Sequence, residues 1–344
     1  MRHMRAVAVT LAILIAASLI LVKVLAQPAP HSPASQPRAV PKRLTRVSTV
    51  QDLKEVNYYP AVGGWAYMWS NFHPGVIDRD FARIRGLDAN TVRIFIQPSV
   101  FGFPTVDPVM ADRLAVVIGL AAKHSLRVHL TLFDLWGRFI DIGGSKEWVS
   151  SLLSGYRDDP RIAVVELRNE IQPQNPEAVA WVSRMLPYLS TVLPGTLRTV
   201  STASVPPEEF ALFTHELKSA PPDFWDYHYY GPARDAYSQL SRIKALAAPR
   251  PLFVGETGYS TDRTPGDRAG QLHAQAAYYR AVFTTAAALG LPTPAPWILN
   301  DFSPGGIPPG RLANEPAAYG YGLFQLNGNP KPAAAVVSRA FSGK

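Results

Sequence analysis

The chain has 344 residues, no cysteine and a formal charge of +8. The absence of cysteine excludes disulfides, thiolate metal sites and a cysteine nucleophile. Of its 34 basic residues, seven lie in the first 50 positions (Arg2, Arg5, Lys23, Arg38, Lys42, Arg43 and Arg46), where there is no acid, leaving 27 basic against 26 acidic side chains in the rest. A nucleic-acid-binding domain carries its basic excess on the fold, so that class is not expected here.

Met1 to Arg5 is basic, and residues 6–22 are apolar or small apart from Thr10. Val24-Leu25-Ala26 offers small residues suited to a signal peptidase. Residues 1–26 therefore read either as a cleaved secretory signal or as a membrane anchor kept in place. Both readings export the remainder, to be secreted or held at the outer face of the cytoplasmic membrane. Residues 27–50 carry Pro28, Pro30, Pro33, Pro37 and Pro41 among Ser, Gln and basic residues, which reads as an extended linker. Residues 51–344 remain as one domain.

Within that domain short β-rich runs alternate with helical patterns. The strands are expected at 62–67, 91–96, 127–133, 162–167, 197–201, 225–229, 252–255 and 295–299. Helices are clearest at 77–87, 109–123, 176–193, 269–289 and 333–341. Such alternation implies parallel strands with helical crossovers. Eight units, with no Gly-x-Gly-x-x-Gly after the first strand, favour a closed (β/α)8 TIM barrel over a dinucleotide-binding sheet.

The mouth of such a barrel lies at the C-terminal ends of its strands. Glu170 follows the fourth strand in Glu166-Leu167-Arg168-Asn169-Glu170, and Glu256 follows the seventh in Gly255-Glu256-Thr257. Two carboxylates facing each other across a cleft can divide acid and nucleophile roles, because neighbours push their pKa values apart. Arg93 sits in an apolar strand, where a charge requires a partner; a carboxylate at the mouth suits it. In Asp226-Tyr227-His228-Tyr229-Tyr230 the His suits substrate hydroxyls and Tyr230 suits a carboxylate. Trp297, at the end of the eighth strand, can stack on a sugar; Trp65, Tyr67, Trp69 and Trp136 are candidates for further subsites.

These residues resemble glycoside hydrolase clan A, and within it the cellulase-like family five, over roughly residues 57–341. The likeness is carried by Asn57-Tyr58-Tyr59-Pro60, Ile77-Asp78-Arg79-Asp80-Phe81, Asn90-Thr91-Val92-Arg93, Asn169-Glu170 and Gly255-Glu256-Thr257-Gly258. The tail, Gly322-Leu323-Phe324 followed by Asn327-Gly328-Asn329-Pro330, adds to it. The resemblance implies a retaining hydrolase of β-linked poly- or oligosaccharides, with Glu170 as acid/base and Glu256 as nucleophile. It further implies that Asn169 binds the sugar 2-hydroxyl, that Arg93 and Tyr230 hold the nucleophile, that His228 contacts substrate and that Trp297 floors the subsite at the cleaved bond. Phe133-Asp134 stands where many members have His, and Ile171 where many have Pro. Asp134 is thereby a candidate for sugar recognition. In a double displacement Glu170 is expected to start protonated.

The alternative is a catalytically inactive, surface-tethered carbohydrate-binding barrel. A metal-dependent barrel hydrolase would need clustered ligands, whereas the eight His are scattered and none lies in the expected first strand. No cofactor and no metal are expected. The expected partner is a carbohydrate, membrane contact only through the possible anchor, and the oligomeric state a monomer.

Overall fold

The structure is a computed structural model that describes residues 44–262 and 267–343. The signal or anchor segment and residues 27–43 of the linker lie outside the described residues. The domain belongs to one unit spanning 39–344.

Its elements, in chain order, are β1 (Glu55–Asn57), α1 (Ala66–Ser70), α2 (Pro74–Gly86), β2 (Thr91–Phe95), α3 (Pro98–Phe101), α4 (Pro108–Lys123) and β3 (Arg127–Thr131). There follow α5 (Ile142–Leu153), β4 (Ile162–Glu166), α6 (Pro176–Val192), β5 (Leu197–Thr199), β6 (Ser201–Thr202), α7 (Pro207–Glu216) and β7 (Trp225–Tyr229). The series ends with α8 (Ala236–Ala247), β8 (Leu252–Thr257), α9 (Arg268–Ala288) and α10 (Pro332–Ser342). The helices begin where local chemistry starts them. In α4, Pro108 takes the first turn, where its missing N–H costs nothing, and the Asp107 carboxylate accepts from the Val109 and Met110 amides. The same helix buries Leu114, Val117, Ile118 and Ala121, the spacing of one apolar stripe.

All named strands pair in parallel, β1 to β5 in one sheet and β6 to β8 in another, with a break only at Val200 between β5 and β6. The segment at 295–299, expected as the eighth strand, is too irregular to count as one. It still joins β8 to β1: Trp297 N–H donates to the Thr257 carbonyl, Asn57 N–H to that of Pro296 and Leu299 N–H to that of Asn57. The ring is thus closed, an α/β fold with parallel strands throughout.

Two expectations are corrected. The first strand is Glu55–Asn57, not 62–67, where the chain turns at Ala61-Val62 and forms α1. The true strand lacks an apolar signature because Glu55 and Asn57 are buried and partnered, Glu55 by the His129 ring at 2.9 Å and Asn57 by Arg93 at 2.9 Å. The span assigned to the linker also ends too late. Val47 and Val50 are buried and, with Leu53, pack against Ala163, Val164, Phe224, Phe253 and Ala295 at the N-terminal end of the barrel.

Candidate active site

Sheet alternation sends Arg93 of β2, His129 and Thr131 of β3, and Asp226 and His228 of β7 into the barrel. Two register shifts complete the set. Between Val128/His129 and the facing β4 residues the pairing skips Ala163, so Glu166 comes to lie across from Thr131. Between Asp226/His228 and β8 the pairing skips two residues against one, so Glu256 lies across from His228. A bulge of this kind re-aims the side chain that follows it.

Arg93 is the hub. Its guanidinium is fully buried and donates to Glu166 Oε2 at 2.8 and 2.6 Å, to Glu256 Oε1 at 2.5 Å, to Asn169 Oδ1 at 2.9 Å and to Asn57 Oδ1 at 2.9 Å. Burial would lower its pKa, but the carboxylates of Glu166 and Glu256 raise it well above the usual value, so the charge is permanent. Burial raises and Arg93 lowers the pKa of Glu166, which ends below its ordinary value. Glu256 also accepts from the Tyr230 hydroxyl, at 2.8 Å on Oε2. Both of its oxygens are therefore fixed, and its position across from His228 is set by the strand.

Glu170 stands on a different footing. It lies in the loop after β4 with φ 52°, a left-handed conformation uncommon for a residue with a Cβ. Trp65, Phe133 and Leu135 share positive φ near the same mouth. Such strain gathers where surrounding contacts overrule local preference. The loop is braced by Ser201, whose hydroxyl accepts from the Glu170 N–H at 2.8 Å, and by Arg168, which donates to the carbonyls of Asn169, Glu170 and Trp136. Glu170 Oε1 lies 2.9 Å from His228 Nδ1, and that nitrogen lies 3.5 Å from Glu256 Oε2. An oxygen of each carboxylate and a ring nitrogen of His228 all fall within 4.8 Å of one another.

His228 departs from expectation. It is fully buried and faces the two carboxylates rather than the open cleft. Burial disfavours its imidazolium, yet Glu256 and Glu170 outweigh this and lift it to about 9. Glu170 correspondingly feels burial upward and His228 downward, and the second prevails. Both shifts have one cause, the pairing of the His228 ring with the carboxylates of Glu170 and Glu256, and both favour a proton on His228.

A cleft of about 520 Å³ opens above these groups, lined by Tyr59, Trp65, Phe95, Asp134, Leu135, Asn169, Glu170, Tyr230, Trp297, Arg311, Leu312 and Tyr321. Tyr59 stacks on Trp65 and Phe95 at centroid distances of 5.3 and 5.0 Å, and Trp297 meets Tyr59, Trp65 and Phe95 edge-on or tilted. Asp134 accepts from Gln97 at 2.9 Å, and burial pushes its carboxyl up to about 6. Asn169, Tyr230, Trp297, Asp134 and Trp65 are thus brought to one cleft with Glu170, and Arg93 and Glu256 lie directly beneath.

Trp136 and Trp69 are not among the lining residues. Trp136 packs on Phe103 and Phe133, and Trp69 is buried with its indole N–H on the Phe95 carbonyl. Each aromatic satisfies the core, which the sequence cannot distinguish from a sugar platform. The reading missed Tyr59, Arg311, Arg168 and the buried set Glu55, His129, Glu166 and Asp226. His129, Glu166 and Asp226 carried a signal, as charged or titratable residues within strands that are otherwise apolar or aromatic, whereas Glu55 in Glu-Val-Asn carried none.

Two sets of side chains come within a metal ion's span, His129 with Glu166 and Asp226, and Glu170 with His228 and Glu256. In the first, Glu166 Oε2 already accepts from Arg93 and Thr131; in the second, His228 Nδ1 is paired with Glu170 and Glu256 is held by Arg93 and Tyr230. Both are ion-pair networks that compensate their own charge.

No protein-family model matches the chain, and no curated protein matches its sequence. Solved structures do match its fold. A GH5_18 protein of Streptomyces cattleya in complex with Manb1-4GlcNAc superposes with a TM-score of 0.66 at 21% identity, over 84% of this chain and 79% of that one. A GH5_18 protein of Bifidobacterium longum, also in complex with Manb1-4GlcNAc, gives 0.67 at 16% identity, over 85% and 78%. An exo-beta-1,4-mannosidase of Opitutaceae bacterium strain TAV5 gives 0.67 at 19% identity, over 84% of this chain and 59% of that one. At these identities the likeness is one of fold.

Proposed function

We propose that the chain is a retaining β-glycoside hydrolase in which Glu256 attacks the anomeric carbon and Glu170 serves as acid and then base. One observation carries the proposal: an oxygen of Glu170 and an oxygen of Glu256 lie within 4.8 Å of each other at the mouth of the barrel, with His228 between them and Tyr230 on Glu256. Double displacement needs carboxyl groups about 5–5.5 Å apart, whereas inversion needs about 6.5–9.5 Å to admit a water. Arg93 and Tyr230 each donate to one oxygen of Glu256 and aim it, as a nucleophile requires.

The proton for the leaving group begins on His228. A sugar seated over Trp297 excludes water from the pair, and desolvation favours its neutral form, imidazole with carboxylic acid. The proton then crosses the 2.9 Å hydrogen bond to Glu170 and on to the glycosidic oxygen. When Glu256 loses its charge in the glycosyl-enzyme, Glu170 can take a proton from water and return it to His228.

The fold neighbours, two of them in complex with Manb1-4GlcNAc and one an exo-beta-1,4-mannosidase, make β-mannosides the first substrates to try. The test is turnover by the purified protein on β-mannosides, β-glucosides, β-galactosides and the corresponding polysaccharides. No turnover of any β-glycoside would reject the proposal. With a substrate in hand, Trp297→Ala is expected to lower kcat/KM by roughly 5- to 150-fold, the equivalent of about 1–3 kcal/mol of ring stacking. Circular dichroism should show the fold retained, since Trp297 is only partly buried.

A further inference from the structure

Beneath the acid/base pair lies a carboxyl group that the proposed chemistry does not use. Asp226 is 1% exposed and its Oδ1 is 4.0 Å from His228 Nε2, on the side of the ring opposite Glu170. Asp226 Oδ1 accepts the Gly255 N–H at 2.9 Å, while neither Asp226 Oδ2 nor His228 Nε2 has a hydrogen-bond partner among the described residues. A Cβ at position 255 would collide with this carboxyl group, so the residue before Glu256 is held to glycine by Asp226. Asp226 therefore supports the nucleophile's strand and faces the acid's histidine at once.

We propose that Asp226 is a positioning residue for the acid/base pair: its carboxylate beneath His228 sets the pH at which His228 and Glu170 lose the proton they share. The inference rests on the glycosidase reading for its consequence in catalysis, though not for the coupling itself. Glu170 is acted on by His228, Arg93, Glu166, Arg168 and Tyr230. His228 is faced by Glu170 and Glu256 at Nδ1 and by Asp226 at Nε2, with Arg93 also acting on it. Asp226 is acted on by His228, Glu166, Arg93 and His129, and His129 is in turn held by Glu55.

At 4.0 Å the link is between charges rather than through a direct hydrogen bond. Burial pushes the Asp226 carboxyl up to about 7, so it is neutral in acid and charged in mild alkali, the range in which an acid catalyst loses its proton. A carboxylate beside an imidazolium favours the charged ring. Above pH 7 the charge on Asp226 therefore holds the pair's proton to higher pH than Glu170 and Glu256 alone would.

Asp226→Asn removes the charge and keeps an oxygen for the Gly255 N–H. The basic limb of kcat/KM against pH is expected to move to lower pH by about one unit, while the acid limb stays in place. A purely structural role would change amplitude and not the limb. The companion measurement is 15N NMR of the His228 ring, which needs no substrate. In the unsubstituted protein the ring should remain protonated to about pH 9, with a second inflection near pH 7 as Asp226 ionises. In Asp226→Asn the ring should titrate about one unit lower, without that inflection. An unmoved limb and an unmoved His228 titration would overturn the proposal. If the variant does not fold, absence of the inflection near pH 7 in the unsubstituted protein overturns it alone. So would one equivalent of a divalent metal in the purified protein, released when Asp226 is replaced. A coupled His228 titration in a protein that turns over no glycoside would leave this proposal standing and reject the catalytic one.

Discussion

Glu256→Ala is expected to abolish hydrolysis, with kcat reduced roughly 10^5-fold or more, the scale on which loss of a covalent nucleophile acts. The alanine leaves space beside the anomeric carbon that azide or formate can enter. Partial rescue is expected, and the product should have inverted configuration, because one displacement now replaces two. Glu170→Ala should behave differently. Substrates with good leaving groups need little protonation, so their first step should survive while the second, which needs a base, slows. Azide, needing no base, should then give a glycosyl azide of retained configuration. Proton NMR of the first product from the unsubstituted protein tests the whole scheme. Inverted sugar at that stage would reject Glu256 as nucleophile whatever the variants do.

Arg93→Met should have the largest effect on stability. The side chain is fully buried and binds Glu166 and Glu256, which are themselves buried. Removing one member of a buried ion pair leaves an uncompensated charge and costs about 3–5 kcal/mol. The pH dependence follows in sign. In the unsubstituted protein Glu166 has a folded pKa below its unfolded value, so its pairing adds stability above that unfolded value and loses it as pH falls through the folded one. Without Arg93, the strongest of the groups that lower the Glu166 pKa is lost while burial still raises it, so the variant is relieved by protonation in acid. The gap in stability between the two proteins should thus be wide near pH 7 and narrow below about pH 4, which urea melts at both pH values measure. A gap that does not change with pH would show that Arg93 acts through packing rather than charge.

The main helices were legible in the chain because each rule for them is local. A proline in the first turn, an Asp or Asn cap and an apolar stripe repeated every three or four residues place α4 and α6 within a residue of their observed bounds. The strands were legible where they are apolar, as at β2, β3, β4 and β7. The two glutamates were legible for a related reason, since the end of a strand in an alternating α/β chain points to the barrel mouth. β1 was not, because its Glu55 and Asn57 are polar and become compatible with burial only through His129 and Arg93, distant in sequence. Trp69 and Trp136 could not be told from Trp65 and Trp297 for a similar reason, because an aromatic side chain carries the same signal whether it meets protein or ligand.

The chain's own order of residues determined that Glu170 follows one strand, that Glu256 stands at the end of another and that the barrel surrounds them. Their meeting was decided by the tertiary structure. In the bare alternation of β8, Phe253 and Gly255 share one face and Glu256 takes the other. The register shift against β7 places Glu256 across from His228, and the shift at Ala163 in β4 places Glu166 across from Thr131. A shift of one residue exchanges the two faces of a strand. Register is fixed by the neighbouring strand, through the Gly255 amide on Asp226 and the guanidinium of Arg93 on Glu166 and Glu256. These partners are set by the closing of the ring, which no local stretch of sequence contains.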